Sequence, residues 1–260
     1  MEKRNNYGYM TGNEQGEQWI RMRRGQNISG TAIGILYLDN VWYPMMPGNV
    51  VNSCTYDFPV RLRAVPGLDT PRLHSGDPTI FDDILREAKV LEKEGVRAIS
   101  AACGFFGHFH RQLADAMDIP VAMSSLVQAP WIKATLKKDQ KIGVLTANAA
   151  AVTDELLSSC GIEDSSLLKV ADLRHGPHFS AIMEDRGEFD NNEVRKEVLA
   201  AASELTEANS DIGAILLECS DMPPYAAAIQ AQVGLPVFDF ITMIKWLHSS
   251  VNQTPYKGWI

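Results

Sequence analysis

The sequence lacks the features of several large classes of protein. Its apolar runs fall short of the roughly 18 to 20 residues that cross a bilayer, and its first 30 residues lack the apolar stretch of a secretory signal. Basic residues are the minority, with 24 Lys and Arg against 32 Asp and Glu and a net charge of -8, so the charge excess that binds nucleic acid is missing. We therefore expect a cytoplasmic protein that binds neither membranes nor nucleic acid.

Cysteine is scarce, and its spacing fits no standard metal or disulfide motif. The four cysteines, Cys54, Cys103, Cys160 and Cys219, include no CxxC pair, and a reducing compartment would keep them as thiols. Glycine-rich phosphate loops are absent, and so is the GxSxG motif of serine hydrolases. The sequence therefore predicts no disulfide, no zinc site and no nucleotide cofactor.

Short aliphatic or β-branched runs alternate with amphipathic stretches from residue 31 onward, which is typical of βα units around a parallel sheet. Asp77, Asn148 and Asp190 are predicted to begin helices. Residues 1–29 are polar and are predicted to form an extension outside the core. The predicted strands are residues 31–38, 60–65, 97–102, 120–124, 141–146, 167–173, 212–217 and 236–239.

An internal repeat organises the chain into halves. Cys103 and Cys219 are 116 positions apart, and Pro120 and Pro236 have the same separation, so the two segments align without a gap. The repeat predicts an α/β protein of two pseudosymmetric lobes, each a roughly four-stranded parallel sheet flanked by helices. The lobes are residues 30–125 and 126–260, with the active site between them and the C-terminal helix packing back on the first lobe.

Cys103 and Cys219 stand at equivalent points of this repeat, each at the carboxyl end of a predicted strand. Open α/β sheets bind ligands at that edge, so both thiols are expected to face one cleft. Two thiols on opposite sides of a carbon suit racemisation, in which one group removes a proton while another delivers one to the opposite face. Cys54 and Cys160 have no such partner and are interpreted as structural.

Four segments resemble the aspartate/glutamate racemase superfamily, which includes aspartate, glutamate and hydantoin racemases and arylmalonate decarboxylase. They are residues 47–60 (PGNVVNSCTYDFPV), 100–106 (SAACGFF), 216–225 (LLECSDMPPY) and 234–240 (GLPVFDF). The resemblance covers about residues 31–252. It implies two α/β lobes, no pyridoxal phosphate or other cofactor, no metal, and a homodimer or higher homo-oligomer.

By this resemblance, Cys103 and Cys219 are the catalytic acid and base of a cofactor-independent racemase or epimerase, an isomerase. The implied substrate is an amino acid like aspartate or glutamate, or a related small carboxylate, with a hydantoin as the alternative. Residues placed by the resemblance to bind the substrate are Asn52, Thr55, Gly104, Phe105, Ser124, Ser125, Thr146, Ser220 and, from the end of the first strand, Asp39.

The residues after each cysteine, Gly104 and Ser220 among them, differ from those of amino-acid racemases, which leaves the substrate open. Two other functions remain open as well. One cysteine could act with His108 or His110 in a thiol-dependent hydrolase, or the two lobes could form a non-catalytic binder of small ligands. The presence of both cysteines argues against a one-cysteine decarboxylase.

Overall fold

The structure, a computed structural model, describes residues 22, 24–254, 256 and 258–260. Most of the predicted extension, residues 1–29, therefore lies outside the described residues. The strands are β1 (Ile33–Leu38), β2 (Val60–Val65), β3 (Ala98–Ala101), β4 (Val121–Ala122), β5 (Lys141–Thr146), β6 (Leu168–Asp172), β7 (Ile212–Leu217) and β8 (Val237–Phe238). The helices are α1 (Thr70–His74), α2 (Phe81–Glu94), α3 (His110–Ala116), α4 (Ala129–Thr135), α5 (Asp154–Ser159), α6 (Ser180–Met183), α7 (Asn191–Ala208), α8 (Ala226–Val233) and α9 (Phe240–Val251).

The strands form two parallel sheets with the same topology. The first has the order β2-β1-β3-β4 and the second the order β6-β5-β7-β8. In the first sheet Leu36 pairs with Ala101, and in the second Leu145 pairs with Leu217. Cys103 and Cys219 thus follow the equivalent strands β3 and β7. The predicted α/β fold of two four-stranded parallel sheets is confirmed.

The central strands are mostly apolar, as is typical of parallel sheets that helices cover on both faces. Every residue of β3 and of β7 is buried. Gly34 in β1 and Gly143 in β5 occupy equivalent places where a side chain would not fit. A Cβ at Gly34 would lie 2.9 Å from Leu91, and a Cβ at Gly143 would lie 2.9 Å from Ile215. These glycines let the neighbouring side chains pack directly on the strands.

Helix starts follow the predicted caps with one exception. Asp77 caps a 3-10 turn that leads into α2, and Asp190 accepts hydrogen bonds from two backbone N–H groups at the start of α7. Asn148 makes no side-chain cap, so that prediction is wrong, and Thr153 caps α5 instead. The physical reason is that the Asn148 amide instead forms hydrogen bonds with the side chains of His74 and Arg174.

Helix α9 follows the second sheet in sequence but packs on the first. Its buried side chains, Phe240, Met243, Ile244 and Leu247, lie in one cluster with residues of β1 and β3 such as Ile33 and Ala98. The core of the first sheet is therefore completed by the end of the chain. No helix among the described residues is long and apolar enough to cross a membrane.

Candidate active site

Cys103 and Cys219 meet at one small cavity between the sheets. Its volume is about 40 Å³. Cys103 is half-buried and Cys219 is buried, and neither thiol is in a disulfide. We call this space the thiol cavity. It is lined by Leu38, Val41, Tyr43, Thr70, His74, Ala102, Cys103, Gly104, Phe105, Ala147, Ile182, Met183, Glu218, Cys219, Ser220 and Asp221.

A wider opening, which we call the outer cleft, adjoins the thiol cavity and shares Val41, Thr70, His74 and Met183 with it. Its volume is about 870 Å³. Its charged lining residues are Asp39, Asp69, Arg174, Glu184 and Asp185. The outer cleft offers a small molecule a path from solvent to the thiols.

Burial dominates the electrostatics of the two thiols. It raises the pKa of Cys103 well above the ordinary value, and the nearby Glu218 carboxyl raises it further. Burial likewise raises the pKa of Cys219, with Asp221 as the next cause. A backbone N–H two positions along, at Phe105 and Asp221 respectively, bonds each sulfur and lowers its pKa. Each thiol therefore needs hydrogen-bond donors or a neutral neighbour to act as a base.

Glu218 is the residue that sequence reasoning missed most plainly. Its side chain is wholly buried, and burial raises its pKa to about 7. Thr146 Oγ1 donates to Glu218 Oε2 at 2.8 Å, whereas Glu218 Oε1 has no partner among the described residues. A carboxyl that directly follows the apolar strand β7 and precedes a cysteine was a sequence signal for a titratable group in the site.

Gly104 makes room for this carboxyl. A Cβ at Gly104 would lie 1.7 Å from Glu218 Oε1 and 2.7 Å from the Glu218 backbone oxygen, so any larger residue would displace one of them. A 3-10 turn, Gly104–Phe109, begins immediately after Cys103. The backbone at Gly104 is thereby brought against the wall formed by Glu218.

Asp221 forms a second acidic wall. Burial raises its pKa to about 6, although four donors oppose that shift. Tyr43 Oη donates at 3.2 Å, Cys219 Sγ at 3.6 Å and Ser220 Oγ at 3.5 Å, and Asn49 Nδ2 donates as well. Tyr43 and Asn49 lie on the long loop after β1, which the sequence did not connect with the second cysteine.

The histidine that contacts one of the two thiols is His74, at the end of α1. Its Nε2 lies 3.9 Å from Cys103 Sγ, and its ring packs against Phe105 with centroids 4.1 Å apart. His108 and His110, the histidines considered from the sequence, are absent from the lining of the thiol cavity. The sequence carries no local signal for His74, because α1 and Cys103 meet only in the folded chain.

Three of the residues predicted to bind substrate line the thiol cavity beside the cysteines, namely Gly104, Phe105 and Ser220. Thr146 reaches the site indirectly, because its hydroxyl bonds Glu218. Asp39 lies in the outer cleft, where its carboxylate accepts a hydrogen bond from the backbone of Gly67.

The other residues predicted to bind substrate do not line the thiol cavity, because their polar groups are used by the protein itself. Asn52 donates to Met45 O at 2.7 Å, and Thr55 Oγ1 donates to the Asn49 carbonyl at 2.8 Å, so both shape the long loop. Ser124 caps a 3-10 turn. Ser125 Oγ donates to Leu217 O at 2.7 Å and links the two sheets.

Comparison with known proteins identifies both the family and a group of relatives. A family profile described as Asp/Glu/hydantoin racemase matches residues 60–247. The chain is 31% identical over 252 residues to a dimethylsulfoniopropionate lyase of Durusdinium sp. clade D, covering 92% of this chain and 83% of that one. It is 30% identical over 238 residues to dimethylsulfoniopropionate lyase 7 of Emiliania huxleyi strain CCMP1516, covering 87% of this chain and 69% of that one.

The fold itself is shared with solved racemases. Allantoin racemase from Pseudomonas fluorescens superimposes with a TM-score of 0.59 at 14% identity, covering 88% of this chain and 99% of that one.

The expectation of a racemase, and of an isomerase, is wrong, because the curated relatives at 30% identity and above are lyases. The resemblance pointed to the correct superfamily, in which one fold serves several reactions. The profile match over residues 60–247 shows that this chain is a member of the Asp/Glu/hydantoin racemase family.

Proposed function

We propose that this protein is a lyase that cleaves dimethylsulfoniopropionate into dimethyl sulfide and acrylate. The substrate carries a carboxylate at one end and a dimethylsulfonium cation on the β-carbon. A base removes a proton from the carbon next to the carboxylate, and the electrons of that C–H bond form the double bond. The C–S bond breaks with its electron pair going to sulfur, so neutral dimethyl sulfide leaves and acrylate remains.

The charge pattern of the thiol cavity is the observation that carries this proposal beyond the similarity to lyases. Two buried carboxyls, Glu218 and Asp221, and the ring of Tyr43 line it, whereas its described lining residues include no lysine or arginine. Such walls suit a substrate with a positive group, since carboxylates and aromatic faces both attract onium cations. The second carboxylate of a simple dicarboxylate would be repelled by these walls.

The carboxylate end of the substrate would lie at the cysteines. Gly104 and Ser220 line the thiol cavity immediately after Cys103 and Cys219, and we propose that their backbones hold the carboxylate. The carbon next to that carboxylate then lies beside a thiol, which is the position required for removing its proton. The sulfonium extends toward Asp221 and the ring of Tyr43.

Release of dimethyl sulfide tests the proposal directly. Purified protein is incubated with dimethylsulfoniopropionate, dimethyl sulfide is measured by headspace gas chromatography, and acrylate is measured by proton NMR. We expect equal amounts of both products from the unmodified protein. At least one of Cys103→Ser and Cys219→Ser, the variant that removes the base, is expected to lower kcat by about 100-fold or more, the usual contribution of a positioned base.

Cys54→Ser is the matched control, because Cys54 is an exposed thiol outside the thiol cavity. It should retain activity within about twofold of the unmodified protein, since surface substitutions rarely perturb a distant site. Folded protein that releases no dimethyl sulfide, or full activity in both serine variants, would refute the proposed function.

A further inference from the structure

A chain of polar side chains runs from the outer cleft to Cys103. Arg174 Nη1 donates to Asn148 Oδ1 at 3.3 Å, Asn148 Nδ2 lies 3.2 Å from His74 Nδ1, and His74 Nε2 lies 3.9 Å from Cys103 Sγ. Arg174 follows β6 and Asn148 follows β5 in the second sheet, whereas His74 ends α1 beside the first. The chain therefore crosses from one half of the molecule to the thiol of the other.

This arrangement determines which ring nitrogen of His74 carries hydrogen. A guanidinium has only donors, so Asn148 must present its carbonyl oxygen to Arg174 and its NH₂ group to His74. His74 Nδ1 is then an acceptor. Burial lowers the pKa of His74 to about 4, with the charge of Arg174 as the next cause, so the ring is neutral near pH 7. Its one hydrogen lies on Nε2, which faces Cys103.

Cys219 has the opposite kind of neighbour. Its Sγ lies 3.6 Å from Asp221 Oδ2, an oxygen that can only accept a hydrogen bond when the carboxyl is ionised. That oxygen favours a thiol that keeps its hydrogen and repels a thiolate. The N–H of His74 favours a thiolate at Cys103. The two cysteines occupy equivalent positions in the repeat, yet their surroundings are chemically unlike.

We propose that His74 is a positioning residue that donates its Nε2 hydrogen to Cys103, is held in that tautomer by Asn148 and Arg174, and makes Cys103 the base of the reaction. The inference rests on the proposed elimination, which needs one base rather than the symmetric pair of a racemase. The Cys103 thiolate takes the proton, the carbon–carbon double bond forms, and dimethyl sulfide leaves with the C–S electron pair. The resulting thiol then returns its proton to solvent through the outer cleft.

Other charged groups face this pair and bear on its titration. Glu218 and Asp221 both oppose a negative charge on Cys103. The His108 ring and the Arg174 guanidinium both oppose a positive charge on His74. The neutral, hydrogen-donating form of His74 is the one that all of these neighbours permit.

The rate of alkylation of Cys103 by iodoacetamide tests the inference without any substrate. Thiolates react and thiols do not, so the rate against pH reports the fraction of thiolate. The protein carries Cys54→Ser and Cys219→Ser, and peptide mass spectrometry assigns the label to Cys103. We expect His74→Leu to slow the reaction at pH 7.5 by about tenfold, which corresponds to one pKa unit.

The conservative variant and the control make the result specific. His74→Gln places an amide donor where Nε2 lies, and it should restore alkylation to within about threefold of the parent, because the hydrogen bond is retained. His175→Leu removes an exposed histidine of the outer cleft that contacts none of these groups and should leave the profile unchanged. If His74→Leu fails to fold, Asn148→Leu is measured in its place. This variant keeps the His74 ring but removes the donor to Nδ1, so the hydrogen of the ring is no longer held on Nε2.

Superimposable alkylation profiles for the parent and for the folded His74→Leu or Asn148→Leu variant would overturn the inference. If the protein releases dimethyl sulfide but the alkylation profile does not shift, the proposed function stands and the role of His74 is refuted. A shift in a protein that releases no dimethyl sulfide would refute the function and support the effect of His74 on Cys103. The two failures are therefore distinguishable.

Discussion

Two carboxyls share the thiol cavity with two thiols, and burial penalises a negative charge on any of them. Burial raises the pKa of Asp221 to about 6 and that of Glu218 to about 7, and it raises the pKa values of both thiols well above their ordinary value. Asp221, with its four donors, is therefore the first to ionise as the pH rises. Glu218 exchanges its proton close to neutral pH. The charge state of Glu218 therefore affects how readily Cys103 becomes a thiolate.

Glu218→Gln is expected to change how stability depends on pH. Between the ordinary carboxyl pKa and about 7, the folded protein keeps a proton on Glu218 that the unfolded chain has released. This contribution to stability is complete below the ordinary pKa and is lost as the pH rises through 7. The variant lacks this loss. The difference between its free energy of unfolding and that of the unmodified protein should therefore rise by about 3 kcal/mol from pH 4.5 to pH 8.

Urea denaturation across this pH range measures the difference. Glu204→Gln, an exposed carboxyl on α7, serves as the control and should follow the unmodified protein. Parallel curves for Glu218→Gln and the unmodified protein would show that folding does not raise the pKa of Glu218.

Helix α7 shows how a single cap supports an element that covers the second sheet. Its apolar face buries Val194, Val198, Ala202 and Leu205. At its start, Asp190 Oδ1 accepts hydrogen bonds from Asn192 N at 2.9 Å and Glu193 N at 3.2 Å. These backbone groups have no partner within the helix, so the carboxylate satisfies them and also interacts well with the helix dipole.

Asp190→Ala is expected to lower the free energy of unfolding by about 1 kcal/mol, the usual contribution of an N-cap. Asp190→Asn should cost less, because an asparagine side chain accepts the same bonds. Glu204→Ala on the exposed face of α7 is the matched control for loss of a charge. Equal unfolding midpoints for Asp190→Ala and Glu204→Ala would contradict a role for the cap.

The two sheets of the whole molecule are tied together by the end of the chain. Helix α9 follows β8 of the second sheet, yet Phe240, Met243, Ile244 and Leu247 pack with β1 and β3 of the first. The hydrogen bond from Ser125 Oγ to Leu217 O adds a direct link between the halves. We therefore expect both halves, and the cavity between them, to unfold in one cooperative transition.

Phe240→Ala tests this coupling against Trp246→Ala on the same helix. Phe240 is wholly buried, so its loss should lower the free energy of unfolding by about 3 to 5 kcal/mol. The Trp246 side chain is 64% exposed, and its loss should cost about 1 kcal/mol or less. Denaturation followed by circular dichroism and by fluorescence should give one midpoint in each variant. Two separated transitions in Phe240→Ala would show that the halves unfold independently.

The sequence by itself determined the sheets and the two thiols. The periodic apolar runs, together with the internal repeat at an offset of 116 residues, predicted the strands of both sheets. This is possible because a buried parallel strand has a local apolar pattern that can be recognised without knowing which strands it pairs with. It also placed Cys103 and Cys219 at one edge, because equivalent strands end at equivalent places. It did not determine the reaction, since the fold is shared with a racemase whereas relatives at 30% identity and above are lyases.

The tertiary structure alone decided the surroundings of those thiols. His74 reaches Cys103 from α1, Tyr43 and Asn49 reach Asp221 from the loop after β1, and Asn148 leaves its expected cap to meet His74. These contacts join residues far apart in sequence, and no local periodicity encodes them. The chemistry of the site depends on burial and on hydrogen-bond partners, and both arise only when the two halves close on one another.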